Sequence, residues 1–167
     1  MRERPILFSG AMVRAILDGT KTQTRRVMKP PRLSARDWQT GDSNIACPYG
    51  EAGDRLWVRE TWVNHFGHIL HRADFEPGSF EYGAKGWKPS IHMPRAHSRL
   101  SLDITGVRVE RLQDISAADK EAEGLPAAEG YGPAAFADLW DQINAKRGYS
   151  WASNPWVWVV SFARVRE

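Results

Sequence analysis

The chain has 167 residues, 42% of them hydrophobic and 26% charged, with 14 Gly and 10 Pro. That length fits one globular domain whose core needs no covalent staple, and the ordinary apolar and charged shares exclude disordered, collagen-like and low-complexity chains. The formal net charge of +3, from 23 Lys and Arg against 20 Asp and Glu, permits a polyanionic partner without requiring one. No run approaches the roughly 20 apolar residues of a membrane helix, so no membrane partner is expected. The charged start, Met1 to Pro5, lacks a signal-peptide pattern, and the single cysteine, Cys47, excludes an intramolecular disulfide; a cytoplasmic location is expected. Eight tryptophans are an unusual excess, and their apolar rings with one N–H suit cores, interfaces and base-stacking surfaces alike.

The first predicted element is a short helix over residues 9–18. Ser9 is its N-cap, Met12, Val13, Ile16 and Leu17 form its apolar stripe, and Gly19 closes it. Thr20 to Val27 is rich in threonine and reads as extended. Residues 29–53 form a long connection rich in Pro, Gly, Ser and Asp. A strand is predicted from Arg55 to Val63, with Leu56, Val58, Glu60 and Trp62 on one face and Trp57, Arg59, Thr61 and Val63 on the other. Residues 64–99 read as hairpins with irregular links. Arg99 to Leu112 alternates as a strand, with Gly106 as a candidate bulge.

Ser116 caps a helix over 117–123 that Gly124 ends, and Ala134, Phe136, Leu139, Trp140 and Ile143 predict a better one over 133–143. The last element, Trp156 to Phe162, is apolar on both faces and belongs in the middle of a sheet. There is no internal repeat or linker, so residues 1–167 are expected to form a single domain. The order of elements predicts an α+β fold, a small mixed β-barrel with short helices at its ends.

Three stretches are candidates for chemistry. Gly19 to Arg26 packs three cations and several hydroxyl or amide groups together, a donor array suited to phosphate or a base edge; a solvated strand edge is the alternative. In a regular strand Lys21 and Thr24 point to opposite faces, so they converge only across a helical turn, a bulge or a bend. The series His65, His68, His71 lacks the helical spacing and further ligands of a metal site, and no metal or cofactor is expected. Trp87 to Arg99 interleaves Trp87, Lys88, His92 and Arg95 with two prolines, an extended segment fit for a nucleic-acid groove or a structural edge. Glu60 is half-buried by its strand position and needs a cation, which Arg59 on the other face does not supply; a core salt bridge is its structural alternative. Trp57, Trp140, Trp156 and Trp158 fall at core positions, whereas Trp38 and Trp87, beside Arg36 and Lys88, are candidates for base stacking; Trp62 and Trp151 fit either group. No phosphate-binding loop, nucleophile elbow or dinucleotide fingerprint is present.

Taken together, Gly19-x-Lys21 with Arg26, Gly53-Asp54-Arg55-Leu56-Trp57-Val58, the stretch Val107 to Ser116 and the terminal Trp156 to Phe162 strand resemble the ASCH (activating signal cointegrator homology) domain. The stretches Cys47-Pro48-Tyr49-Gly50, Val58-Arg59-Glu60-Thr61-Trp62 and Ser90-Ile91-His92-Met93-Pro94-Arg95 resemble the ASCH proteins of phages and prophages in particular. The resemblance spans nearly the whole chain and implies a PUA-like barrel carrying insertions near 29–53 and 64–98. It also implies a ligand, RNA or a modified nucleoside, in a cleft bordered by the Gly-x-Lys segment; from the residues themselves, Arg25, Arg26, Trp38, Glu60, Trp87, Lys88, His92 and Arg95 are the binding candidates. DNA and the oligomeric state are left open.

Some proteins of that family are amidohydrolases on N4-acetylcytidine and others are described as ribonucleases, so whether this chain is an enzyme is open too. Carried over residue by residue, the amidohydrolase site would be Lys21, Thr24 and Glu123, with Glu121 as the alternative acid. Lys21 would be the base, its ammonium disfavoured by Arg25 and Arg26; Thr24 would be nucleophile or water-orienter, and Glu123 the acid or the group that orients Lys21. A third, non-catalytic reading is a protein partner held by an exposed Trp patch.

Overall fold

The computed structural model describes residues 1–29, 46–76, 86–125 and 134–166. Among these, strands β1 (Glu3–Leu7), β2 (Gln23–Val27), β3 (Arg55–Arg59), β6 (Ser101–Arg111) and β7 (Trp156–Arg164) form one mixed sheet, ordered β1-β3-β6-β7-β2. The β1–β3 pair is parallel and the others are antiparallel. Strands β4 (Trp62–His65) and β5 (His68–His71) make a separate two-stranded hairpin. The helices α1 (Gly10–Leu17), α2 (Ala117–Ala122) and α3 (Ala134–Asn144) are short. No helix among the described residues is long and apolar enough to cross a membrane.

The two-sided apolar character of the last strand explains the layering. β7 lies between β6 and β2, and its alternate side chains enter two different cores. Trp158, Val160 and Phe162 join Ile6, Phe8, Leu56, Val58, Leu102 and Ile104 in one cluster, which α1 caps with Val13 and Ile16. Val157 and Val159 join Leu112, Ile115, Phe136 and Trp140 in the other, so α3 packs on the opposite face. The period-2 geometry of a strand lets one segment serve both layers.

Helix α1 forms as its sequence predicts. The Ser9 side chain accepts a hydrogen bond from the Met12 amide, and Gly19, at φ +81°, takes the left-handed conformation that lets the chain leave. β6 shifts register between Ile104 and Gly106, the bulge that Gly106 marks in the sequence. Such a bulge bends and twists its strand, helping the sheet to curl. The backbone ladder leaves β1 and β2 at the two ends of the order, with no rung between them among the described residues. What joins these ends is a side chain: Arg26 Nη2 donates to the Leu7 carbonyl at 2.8 Å, and the guanidinium lies 5.1 Å from the Phe8 ring centroid.

Three expectations are corrected. The predicted strand over 55–63 is broken: β3 ends at Arg59, and Trp62 opens the separate hairpin, paired with His71 and bridged to Lys88. The alternation continues across the break, because Glu60 and Trp62 are both buried, so the side-chain pattern alone does not reveal where the pairing changes. In α3 the core stripe differs from the predicted one. Ile143 is 48% exposed while Asn144 is buried, its side-chain amide donating to the Trp140 carbonyl. The reading of an exposed Trp patch also fails for the seven described tryptophans, all of which are buried or half-buried; Trp38 lies outside the described residues.

Leu102, fully buried where β3, β6 and the inner cluster meet, should be a stability hot spot. Leu102→Ala is expected to lower unfolding free energy by about 2–5 kcal/mol in urea denaturation. Phe66→Ala, at the 91% exposed tip of the hairpin, should change it by no more than about 0.5 kcal/mol.

Candidate functional site

Lys21 lies just outside the regular strand that carries Thr24. Regular strand starts only at Gln23, and Lys21 sits ahead of it, paired through an isolated bridge with Glu123 just past the end of α2. Ser116 caps α2 by accepting from the Asp119 amide, and the Thr22 amide donates to the Ala122 carbonyl, fastening the helix end to β2. Gly124 permits this approach: a Cβ there would lie 2.9 Å from Ala15 Cβ and 3.0 Å from Lys21 Cβ, and its φ of +86° suits glycine alone.

Lys21 is among the largest fully buried side chains of the protein. Its Nζ donates to Gln23 O at 2.8 Å, to Glu123 O at 2.9 Å and to Glu123 Oε2 at 2.7 Å. Three acceptors for three N–H bonds describe an ammonium. Burial pushes its pKa below the ordinary lysine value, Glu123 opposes that shift, and Arg26 and Arg25 add smaller downward pushes. Like charge therefore acts in the expected direction, but burial is the larger cause.

Arg25 ties this pair into a larger network. It donates to Gln23 Oε1 at 2.7 Å, Glu123 Oε1 at 3.1 Å, Asp119 Oδ2 at 3.0 Å and, through Nε, to Glu110 Oε1 at 3.2 Å. Arg108 donates to the same Glu110 and Asp119. The cations Lys21, Arg25 and Arg108 thus match the anions Glu110, Asp119 and Glu123. Burial raises the Asp119 pKa, but Arg25 and Arg108 outweigh it and hold the carboxyl below its ordinary value.

One face of this network opens into a cleft of about 590 Å³. Thr24, Arg25, Arg26 and Glu123 line it, with Phe8, Tyr49, Leu139, Trp140 and Ile143 as apolar or aromatic wall and Lys29, Asn144 and Arg147 among its polar groups. The exposure of Ile143 is thereby explained, since it faces this open space. Thr24 is 1% exposed, and its hydroxyl accepts from Arg26 Nη1 at 3.0 Å. Burial lowers the Arg26 pKa, and a hydrogen bond with Tyr49 works against that.

Of the residues singled out in the sequence, Thr24, Arg25, Arg26 and Glu123 meet in the cleft, with Lys21 bound to Glu123 beneath it. Others lie elsewhere. Glu60 is 1% exposed and doubly bonded to Arg99, at 2.9 and 3.1 Å, the core salt bridge that its burial demands. Lys88 lies over the Trp62 ring, Trp87 packs near Phe75 and Arg72, and Arg95 pairs with Glu3 and covers Trp57. His92 is exposed in a short 3-10 turn, while Ser90 of that turn reaches the cleft wall. His71 Nε2 is 3.1 Å from the His97 carbonyl, and the described residues contain no cluster of three or more metal-ligating side chains. Phe8, Tyr49, Trp140 and Arg147 are not legible as site residues: Trp140 carries core periodicity, Phe8 and Arg147 fall outside every predicted element, and Tyr49 stands out only through the Cys-Pro-Tyr-Gly stretch.

No family model matches the sequence, and no curated protein matches it significantly. Solved structures do match. An ASCH domain from Lactobacillus crispatus JV V101 is 10% identical at a TM-score of 0.52, covering 98% of this chain and 79% of that one. The fold is that of an ASCH domain. A DUF984 protein from Enterococcus faecalis V583 shares it, at 13% identity and a TM-score of 0.51, covering 99% of this chain and 80% of that one. Within this ASCH fold the cleft opens beside the Gly19-x-Lys21 segment.

Breaking the buried pair should be costly. Glu123→Gln leaves the Lys21 ammonium without its carboxylate and is expected to destabilise the protein by about 3 kcal/mol or more in urea denaturation. Asp119 gives a pH test. Its folded-state pKa is depressed, so its ion pairs contribute fully above its ordinary value of 3.8 and are lost as the pH falls through the folded value. The stability gap between wild type and Asp119→Asn should be constant near neutrality and narrow below pH 3.8; an unchanged gap in acid would remove this account.

Proposed function

We propose that this chain is a member of the ASCH family that binds RNA or a modified nucleobase, with one base held in the cleft beside Lys21. The observation that carries this is the pairing of walls in one cavity. Thr24, Arg26 and Glu123 put polar groups on its wall, while the half-buried Tyr49 and Leu139 and the exposed Ile143, backed by the buried Phe8 and Trp140, put apolar and aromatic surface there. A nucleobase needs both, and a single-stranded base is commonly read by stacking plus edge hydrogen bonds. The volume of about 590 Å³ also falls within the roughly 300–1,000 Å³ of small-ligand sites.

A second reading, hydrolysis of an N4-acylated cytidine, is favoured by the Lys21–Glu123 contact of 2.7 Å under a cleft that Thr24 also lines. Water would add to the acyl carbon, the bond to N4 would break, and N4 would leave with a proton, giving carboxylic acid and cytidine. Lys21, fully hydrogen-bonded as an ammonium beneath the cleft, suits stabilisation of developing charge through Glu123 better than proton transfer. Glu123 holds it in place.

Tryptophan fluorescence titrations with single-stranded RNA and with a panel of ordinary and N4-acylated nucleosides test the binding reading. Tyr49→Ala should weaken binding by about 1–3 kcal/mol. No binding tighter than high micromolar, for polymer or nucleoside, would overturn it. For hydrolysis, acetate release from N4-acetylcytidine should disappear in Lys21→Ala and in Thr24→Val, the second variant guarding against loss of folding in the first. A wild-type protein inert to the whole panel removes the enzymatic reading.

A further inference from the structure

The charges around the cleft are not balanced. Glu123 is the one acidic residue among its described lining residues, and both of its carboxylate oxygens are taken, by Lys21 and Arg25. Arg25 and Lys21 are in turn neutralised within the buried network. Three cations on the cleft wall remain without a carboxylate partner among the described residues: Arg26, Lys29 and Arg147. Arg26 spends its donors on Thr24, the Leu7 carbonyl and Tyr49. Lys29 and Arg147 are exposed and make no hydrogen bond or ion pair with any described residue.

These two come from separate parts of the fold. Lys29 follows β2, and Arg147 follows α3. A cation near the C-terminus of a helix is favoured by the helix dipole, which accounts for Arg147 alone. It does not account for a second cation, unpaired among the described residues, bordering the same cleft from a different element. An anionic group on the ligand would supply the partner both lack, and a guanidinium with an ammonium is a suitable donor set for phosphate oxygens.

We infer that Lys29 and Arg147 form a phosphate subsite at the rim of the cleft, so that the ligand is a phosphorylated nucleoside or a nucleotide within a chain, not a free nucleoside. This rests on the base-binding reading above and specifies its substrate class. The base occupies the aromatic part of the cleft, and its sugar leads the phosphate outward to the two rim cations.

Isothermal titration at low salt with nucleosides from the panel, their 5′-monophosphates, a trinucleotide and inorganic phosphate tests this. A 5′-monophosphate should bind about tenfold or more tightly than its nucleoside, and that advantage should shrink as salt is raised. Should only the trinucleotide show the gain, the subsite holds a phosphodiester of a chain and the inference stands. In the double variant Lys29→Gln, Arg147→Gln the ratio of phosphorylated to unphosphorylated affinity should fall towards one. Nucleosides that bind as well as both phosphorylated forms would overturn the subsite and leave base binding intact. If no nucleoside, nucleotide or trinucleotide binds, the base reading fails and the subsite with it. A phosphate advantage that survives in the double variant would overturn the assignment to these two residues.

Discussion

The buried ion network around Arg25 is the constraint on which the site depends. Removing Lys21, Arg25 and Glu123 from water carries a large desolvation cost, and only near-complete pairing offsets it. The network achieves that pairing by drawing carboxylates from β6 and from α2 and its C-terminal end onto cations of β2 and its approach. Its geometry therefore fixes where α2 ends, how close Gly124 comes to Lys21, and which oxygens of Glu123 remain near the cleft. An apolar cluster of the same volume is commonly no less stable than such an array. What the charged version supplies is position: a hydrogen-bonded ammonium and carboxylate locked in one arrangement below an open cavity.

The same economy of contacts governs the sheet. Backbone ladders carry the order from β1 through β3, β6 and β7 to β2, and the remaining gap is spanned by Arg26. Because Arg26 also bonds Thr24 and faces Phe8, the link between the two edges of the sheet and part of the polar wall of the cleft are one side chain. The fold and the candidate site are thus built from shared residues.

Much of this was legible in the sequence, for identifiable reasons. Helix α1, the Gly106 bulge, the capped α2 and the two-faced last strand each have a local cause, and local causes are written in consecutive residues. The pairing of Glu60 was legible as a need for a cation, but its partner, Arg99, is 39 positions away and nothing local names it. The break after Arg59 was hidden because the alternation of burial continues through it. The cleft was the least visible feature. Its wall includes residues such as Phe8 and Trp140 that belong to the two cores, and only the three-dimensional gap between layers brings them to one cavity. The nearness of Lys21 to Glu123 followed from resemblance and not from spacing, because the two are 102 positions apart and meet only through the bridge ahead of Gln23.

Strand β7 works as a party wall between two rooms. Trp158, Val160 and Phe162 furnish the room inside the sheet, and Val157 and Val159 the one under α3. The helix wall of the cleft is hung on the second room only. Exchanges at Leu139 or Ile143 can therefore reshape what the cleft admits while the inner room, with its bulge and its α1 cap, stays furnished as it was. A chain divided in this way can refurnish one room without rebuilding the house.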